Sequence, residues 1–467
     1  MLAALIGVVQ LHTIDAFGVE RIRTTVEVWR VIPPRLPQIG GPTLVPLLYS
    51  GALAVMIAGW LALPWLGASV RDDEALGVTR VATAARWLAA VLERSPAAGA
   101  GHTVCTAITL AIVAYVAWQL GAFGPATLFG VPDTFASFDH PFHAARAETL
   151  RLSIREGESL RWVANHQGGY PAEFYPFGFA AFEVLLWGLA LGQLAMPGIH
   201  KIAVIILFLA PVLVFRAMAR RDGWPPTVAL AAFALHVAVP GGTWHGGYSE
   251  LVYMGLVANV SAALAVLASM ATAADAFASG RRRSVALAGV FAAAAIWCNP
   301  RSAFGLAVCV GAAWLIAVWR SPEGVRRAIP QLVAIAFIAV LLAAPELVSL
   351  VRYRELYYFV RFTSYASSVE YLRASIDAVS VPGFALAILG VVTAALVARQ
   401  RYITSTTGLA LLGYSVLTLL FSFGAPGLVQ QLEATRLMPV QRLLTVYLAA
   451  VGLHALGGAL AARTGVR

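Results

Sequence analysis

Stretches of about 20 apolar residues recur along this chain from residue 43 to residue 462, and no other feature limits its possible folds as severely. At a rise of about 1.5 Å per residue, each is just long enough to cross a hydrocarbon layer roughly 30 Å thick. Within lipid every backbone polar group must be satisfied by the protein itself, which leaves helices and closed barrels. A barrel would show short alternating strands, whereas these segments are continuously apolar and predict helices. Spans are expected at 43–66, 104–121, 201–217, 226–240, 251–272, 284–298, 303–319, 328–350, 379–398, 405–423 and 441–462. With 60% hydrophobic and 12% charged residues, against roughly a quarter charged in soluble proteins, no part is polar enough to be a separate soluble domain. Residues 1–467 read as a single transmembrane domain in an all-α polytopic membrane protein.

The net charge of +10 is almost wholly arginine, since Lys201 is the only lysine. Arg216, Arg220 and Arg221; Arg281 to Arg283; Arg320, Arg326 and Arg327; Arg399 and Arg401; and Arg463 and Arg467 are separated from one another by even numbers of crossings. All five clusters can therefore face the cytoplasm, where basic loops concentrate, and a nucleic-acid partner is a poor reading of this charge. The loops 244–250, 299–302, 351–377 and 424–441 then lie outside. Arg21, Arg23, Arg30 and Arg35 run against this scheme. Residues 1–19 carry Asp15 and lack both a basic start and a small-residue cleavage site, so they read as an interfacial or partial segment rather than a signal peptide. Cys105, Cys298 and Cys309 lie in apolar stretches without a CxxC pair and read as packing residues.

The same parity bears on residues 174–196. As a simple crossing, this segment would put the polar stretch before it in the cytoplasm. As an interfacial or re-entrant helix, it makes residues 122–200 one long external loop, which is the preferred reading. That loop holds most of the polar side chains: Asp133, Asp139, Glu148, Glu156, Glu158 and Glu173 with His140, His143 and His166. Loops beyond about 12–15 residues tend to be functional or disordered, and Phe135, Phe138, Phe142, Trp162, Tyr170, Phe174 and Tyr175 supply this one with apolar anchors. The spacing of Ala144, Ala147, Leu150 and Ile154 predicts a short amphipathic helix at the interface.

Asp139 has two readings that can coexist. It can cap that helix, or serve as a general base that takes the proton from an acceptor hydroxyl attacking a sugar. Asp139, His140 and His143 also invite a divalent cation, although their spacing is not a standard zinc pattern and supplies no fourth ligand nearby. Glu173, in the turn GGYPAEFYP, is either a site acid held at the membrane surface or a solvated carboxylate. In GGTWHGGYSE, His245 and Glu250 are flanked by glycines that permit either a plain turn or a close approach to a ligand. RYRELYYFVRFTSY, residues 352–365, mixes arginine with aromatics as expected near lipid headgroups. Arg436 and Arg442 flank Met438 and Pro439 on the outer side, where a guanidinium is unexpected on charge bias and suits a phosphate; the plain alternative is snorkelling to headgroups.

The order of these features resembles the GT-C superfamily of integral membrane glycosyltransferases, which includes protein O-mannosyltransferases and lipid A aminoarabinose transferases. The motifs carrying the likeness are FDHPFHAAR, GESLRW and GGYPAEFYP between Asp139 and Pro176, and RLMPVQRLLTVYLAAVGL near the end; the pattern covers roughly residues 100–320. The resemblance implies a GT-C-like bundle of about 11–13 transmembrane helices with interfacial helices in the first long external loop. It also implies a polyprenyl-phosphate sugar donor, with Asp139 as base and Glu173 as a second acid. His140, His143, His245, Glu250, Arg436 and Arg442 are the candidate substrate contacts. The acidic pair typical of the superfamily is missing, because His140 follows Asp139, and the large C-terminal domain of several members is not expected here. The expected setting is the inner (plasma) membrane, with the active site on the external face among membrane lipids and an envelope lipid, glycan or protein as acceptor. The rival class is a lipid or amphiphile transporter or flippase, which needs ionisable residues buried at mid-membrane; Glu183, Asp275 and Glu346 are the main apolar-flanked acids. A third possibility is a scaffold with a degenerate site.

Overall fold

The computed structural model describes residues 138–157, 162–163, 170–171, 175–320, 324–352, 365, 368–396, 401–419 and 433–464. The expected spans at 43–66 and 104–121, the N-terminal segment, Cys105 and Glu173 lie outside the described residues. Within them the helices are α1 His140–Glu156, α2 Gly178–Leu189, α3 Met196–Leu209, α4 Pro211–Arg221, α5 Pro226–Ala238, α6 Val257–Ser279, α7 Arg282–Cys298, α8 Ser302–Arg320, α9 Gly324–Arg352, α10 Ser368–Asp377, α11 Val381–Leu396, α12 Tyr402–Leu419 and α13 Met438–Thr464. A two-residue antiparallel pair, β1 Trp162–Val163 and β2 Tyr170–Pro171, separates α1 from α2. A π turn, Ser249–Tyr253, precedes α6, and a 3-10 turn, Ala434–Leu437, precedes α13.

Among the described residues six helical runs are long and apolar enough to cross a membrane, α3 and α4 counting as one. The chain is thus an all-α polytopic membrane protein. A seventh crossing results if α10 and α11 form one broken span, bent by 100°. The helix expected over 379–398 forms as α11, and the break from α10 falls at its start, where Ser380 adopts a left-handed backbone (φ 70°) and Pro382 has no amide to carry the α10 ladder onward. The expected helix over 251–272 starts only at Val257, because the π turn occupies its first residues. α2 has 12 residues, about 18 Å of helix, which falls short of a full crossing.

Four of the five arginine clusters meet at one end of the bundle, the side chains of Arg463 and Arg467 lying outside the described residues. Arg221 pairs with the Asp275 carboxylate at 2.5 Å, joining the ends of α4 and α6, and the Ser284 hydroxyl at the start of α7 donates to the same carboxylate. Gly280 lies beside Arg327 of α9, and the Arg320 guanidinium sits over the Tyr402 ring. Asp222 receives the Ile403 and Thr404 amides at 2.8 and 2.5 Å, capping α12 from 180 residues upstream, while Arg401 donates to the Asp222 carbonyl. Every contact described below for Asp139, Arg301 and Arg436 belongs to the opposite end.

α13 is the central helix. Its apolar window is 94% buried, against 22% for α9, whose Val333, Phe337, Val340, Leu341 and Val348 are exposed as a lipid-facing surface would be. Lipid gives no hydrophobic drive for helices to pair, so close contact between small residues has to supply the attraction. Gly452 of α13 lies directly against the Leu386 carbonyl of α11, and Gly390 of α11 against the Leu448 carbonyl of α13. A side chain at either position would force these helices apart.

Candidate functional site

α1 forms where the alanine and leucine spacing predicts an interfacial helix, with Asp139 at its N-cap position and Pro141 in its first turn. The Asp139 side chain makes no capping hydrogen bond (φ −87°, ψ −7°), so the capping role is not realised. Its backbone amide instead donates to the Met254 carbonyl at 3.2 Å, which seats the turn against the end of the π turn. Six residues on from the start of α1, Arg146 is buried in an aromatic cage. Its Nη2 donates to the Tyr175 carbonyl at 2.7 Å, and its guanidinium lies 4.3 Å from the Phe177 ring centroid and 5.0 Å from that of Tyr175. Arg146 thereby fixes Tyr175, immediately after the GGYPAEF run.

Tyr175 marks where distant segments converge. Burial pushes its phenol up from the usual range, Asp139 pushes the same way, and the charges of Arg436, Arg146 and Arg301 oppose them. One carboxylate and three guanidiniums therefore act on a single hydroxyl. Arg301, in the turn between α7 and α8, pairs with the Glu433 carboxylate at 2.9 Å, and the same oxygen receives Arg436 Nε at 3.1 Å. Arg436 also stacks on Trp244, 4.2 Å from its ring centroid. Two guanidiniums share one carboxylate, an arrangement that gathers cationic donors where an anion could be held. Burial lowers the Arg301 pKa, and Glu433 works against that shift. Glu433 has a left-handed backbone (φ 40°), a conformation costly for a non-glycine residue and one that clusters at functional sites.

The GGTWHGGYSE loop closes the other side. Glu250 is fully buried and accepts the Gly246 amide at 2.6 Å and Asn259 Nδ2 at 2.7 Å. Burial raises its carboxyl to about 7, against the lowering effects of Asn259, Arg436, Gly246 and Arg442. The Gly242 amide donates to His245 Nδ1 at 2.8 Å. Burial and the charge of Arg442 lower the His245 pKa to about 4, so at neutral pH the ring is uncharged and carries its proton on Nε2.

Two candidate contacts have other occupations. Arg442, among the phosphate candidates on sequence grounds, is fully buried on the inner face of α13. Its Nη1 donates to the Ala378 carbonyl, and its Nη2 donates to those of His236, at 2.9 Å, and Val239. It ties the ends of α5 and α10 together, because helix ends leave carbonyls without partners. His140 is fully buried, with one ring nitrogen on His200 and the other on the Val252 carbonyl. His143 is buried against Tyr175 and Phe179. Burial, followed by the charges of His200, His140 and Arg146, lowers its pKa. Among the described residues no group of three or more His, Cys, Asp or Glu side chains is arranged to hold a metal ion, and His140 has its ring nitrogens engaged elsewhere. Cys298 and Cys309 are free thiols.

Arg301 and Glu433 are site residues that the sequence reading does not single out. An arginine in a turn that the charge parity assigns to the outer side, against the charge bias, is the signal that points to Arg301, as it does to Arg436. A hollow of about 860 Å³ lies between α1 and the turn joining α2 to α3, lined by Pro141, Ala145, Arg151, Trp187 and Leu194. At 100° per residue these α1 positions face away from Arg146, so the hollow is separate from the Tyr175 constellation.

No family model and no curated protein matches the chain. Solved structures that resemble it include two oligosaccharyltransferases. An archaeal oligosaccharyltransferase AglB from Archaeoglobus fulgidus, in complex with an inhibitory peptide and a dolichol-phosphate, superposes with a TM-score of 0.43 at 11% identity, over 76% of this chain and 51% of that one. The Archaeoglobus fulgidus oligosaccharyltransferase in the apo form gives a TM-score of 0.44 at 12% identity, over 77% and 52%. The chain thus spans about half the length of the structures it matches.

Proposed function

We propose that this protein is a membrane glycosyltransferase that moves a sugar from a polyprenyl-phosphate donor to a cell-envelope acceptor, at the bundle end opposite the arginine clusters. The observation carrying this reading is the gathering of Asp139, Arg301 and Arg436 around Tyr175 from three distant segments. That end is the external one if the arginine clusters are cytoplasmic. An acid and a pair of cations in one neighbourhood match what glycosyl transfer from a phosphate demands. Asp139 takes the proton from the acceptor hydroxyl, and the freed oxygen pair bonds the anomeric carbon. The carbon–oxygen bond to phosphate breaks, its electron pair leaving on the phosphate. Charge develops on that leaving group, so preorganised guanidiniums there contribute most of the rate gain. Arg436 and Arg301 fill this role, with Glu433 setting their positions. His245 Nε2–H lines the neighbouring loop as a sugar contact, Glu250 braces that loop from within through Gly246 and Asn259, and Glu173 is proposed as a second acid.

The test is transfer from a radiolabelled polyprenyl-phosphate sugar by purified protein, compared with Asp139→Asn. The substitution is expected to abolish transfer and leave the thermal transition unchanged; wild-type turnover in the variant removes Asp139 from the mechanism. The transporter reading is favoured by one observation, a chain of buried ionisable groups from Glu183 to His140. Lipid translocation by proteoliposomes without sugar transfer would select it.

A further inference from the structure

Glu183 of α2, His200 of α3 and His140 of α1 form a continuous hydrogen-bonded chain, and each is completely buried. Glu183 Oε1 lies 2.5 Å from His200 Nδ1, His200 Nε2 lies 2.8 Å from His140 Nδ1, and His140 Nε2 lies 2.8 Å from the Val252 carbonyl. A carbonyl only accepts, so His140 Nε2 carries hydrogen. If His140 is neutral, its Nδ1 is then an acceptor and His200 Nε2 must donate to it. If His200 is neutral too, its Nδ1 accepts, and the hydrogen in the short contact belongs to Glu183 as a carboxylic acid. Moving that proton to either histidine leaves the net charge at zero but separates charge in a dry interior, which is costly. The neutral arrangement therefore prevails, and the acid end dictates the direction of every bond to the Val252 carbonyl. His143 and Lys201 are further ionisable neighbours of His200 among the described residues.

The far end of this chain meets the candidate site. Two bonds, Asp139 N–H to Met254 O and His140 Nε2–H to Val252 O, clamp the start of α1 to the π turn that carries Glu250. Gly255 has a positive φ of 72°, and a Cβ there would lie 2.7 Å from the His140 backbone nitrogen and 3.1 Å from its ring carbons, so the chain beyond the π turn is shaped to admit the start of α1 and this side chain. Ionisable groups buried within a membrane protein are costly and mark function more often than stability.

We propose that Glu183, His200 and His140 are a positioning relay for Asp139, in which one carboxylic-acid proton sets both imidazole tautomers and commits His140 Nε2–H to the Val252 carbonyl. Its effect on rate rests on the reading of Asp139 as the base; its protonation pattern does not. In bilayer-embedded full-length protein with 15N-labelled histidine, solid-state NMR is expected to show neutral His140 and His200, each protonated at Nε2. Infrared spectra are expected to show a carboxylic-acid band that Glu183→Gln removes. An ionised Glu183 beside a doubly protonated histidine overturns the relay. Glutamine can still donate an amide hydrogen to His200, so Glu183→Gln keeps both tautomers, whereas Glu183→Leu releases them. In the transfer assay Glu183→Leu is expected to lower kcat about 10- to 100-fold, the scale of a small misplacement of a catalytic group, with an unchanged KM for donor and with Glu183→Gln close to wild type. Released tautomers with wild-type kcat, or equal losses in both variants, refute the positioning role. Absence of transfer in the wild type refutes the glycosyltransferase reading and leaves the NMR result to decide the relay.

Discussion

Replacing Glu250 with glutamine is expected to change how stability depends on pH. The buried carboxyl titrates near 7 in the fold and near 4.5 when free, with burial the leading cause. Between these values the folded chain holds a proton that the unfolded chain has released, so stability falls as pH rises. The penalty is absent below pH 4.5 and complete above pH 7. At about 1.4 kcal/mol per pH unit it reaches about 3 kcal/mol. For 467 residues, at an unfolding entropy of about 2.1 cal/mol/K per residue, this corresponds to roughly 3 °C in Tm. Glutamine cannot ionise, but its amide nitrogen must face one of the two donors that the carboxylate now accepts from, Gly246 N–H or Asn259 Nδ2. Asn259 cannot simply turn over, because its Oδ1 receives Asn299 Nδ2 at 3.2 Å. One bond is therefore lost, at about 1–3 kcal/mol. The variant should melt below wild type at pH 4.5, and the gap should close by pH 8. Intrinsic tryptophan fluorescence of both proteins in nanodiscs, at matched ionic strength, measures this. Parallel curves across the range would refute a carboxyl titrating near 7.

Arg442→Leu removes the donors to three buried carbonyls and should destabilise by about 3–5 kcal/mol, seen as loss of the monodisperse peak in fluorescence-detected size exclusion; Arg442→Lys, lacking the planar fork, should recover little. Arg436→Ala should raise KM for the polyprenyl-phosphate donor about tenfold or more in steady-state kinetics, while Tm moves little because the side chain ends against Trp244 and Glu433 rather than in the core. Gly452→Val should cost about 1–3 kcal/mol or more by wedging α13 from α11, measured as Tm, whereas Gly188→Ala, with open space around its Cβ position, should be silent.

Several spans were legible because apolar length is a direct physical requirement of the bilayer, although the helices formed at 226–240 and 284–298 are not among the runs long enough to cross. Residues 303–319 and 328–350 correspond to α8 and α9 with ends displaced by only a few residues. Parity of the arginine clusters places them on one side, and the contacts of Arg221, Gly280, Arg320 and Arg401 put them at one end. What hydropathy does not carry is the direction of a side chain around its helix. Arg436 and Arg442 look equivalent in sequence, yet six residues apart they point to different places, one to Trp244 and Glu433 and the other into the core. His140 was legible as a polar group in an informative loop but not as the end of a chain reaching Glu183, because its partners lie 60 and 112 residues away. The start of α6 was misplaced for a similar reason: the apolar pattern runs through Leu251 and Val252, while the π turn there serves the bonds of Glu250.

The burial of α13 has a bearing on how the chain is made. Helices enter the bilayer in the order in which the ribosome delivers them, and a guanidinium in the first turns of a span, as Arg442 is in α13, lowers the tendency of that segment to partition into lipid alone. Arg442 finds its acceptors on α5 and on the end of α10, which are synthesised earlier. α13 can therefore settle only into a bundle that already offers those carbonyls, and until it arrives the earlier helices surround a gap with no central post. Biogenesis of this protein should accordingly pass through a late, all-or-none closing step that depends on insertion factors able to shelter an incomplete bundle.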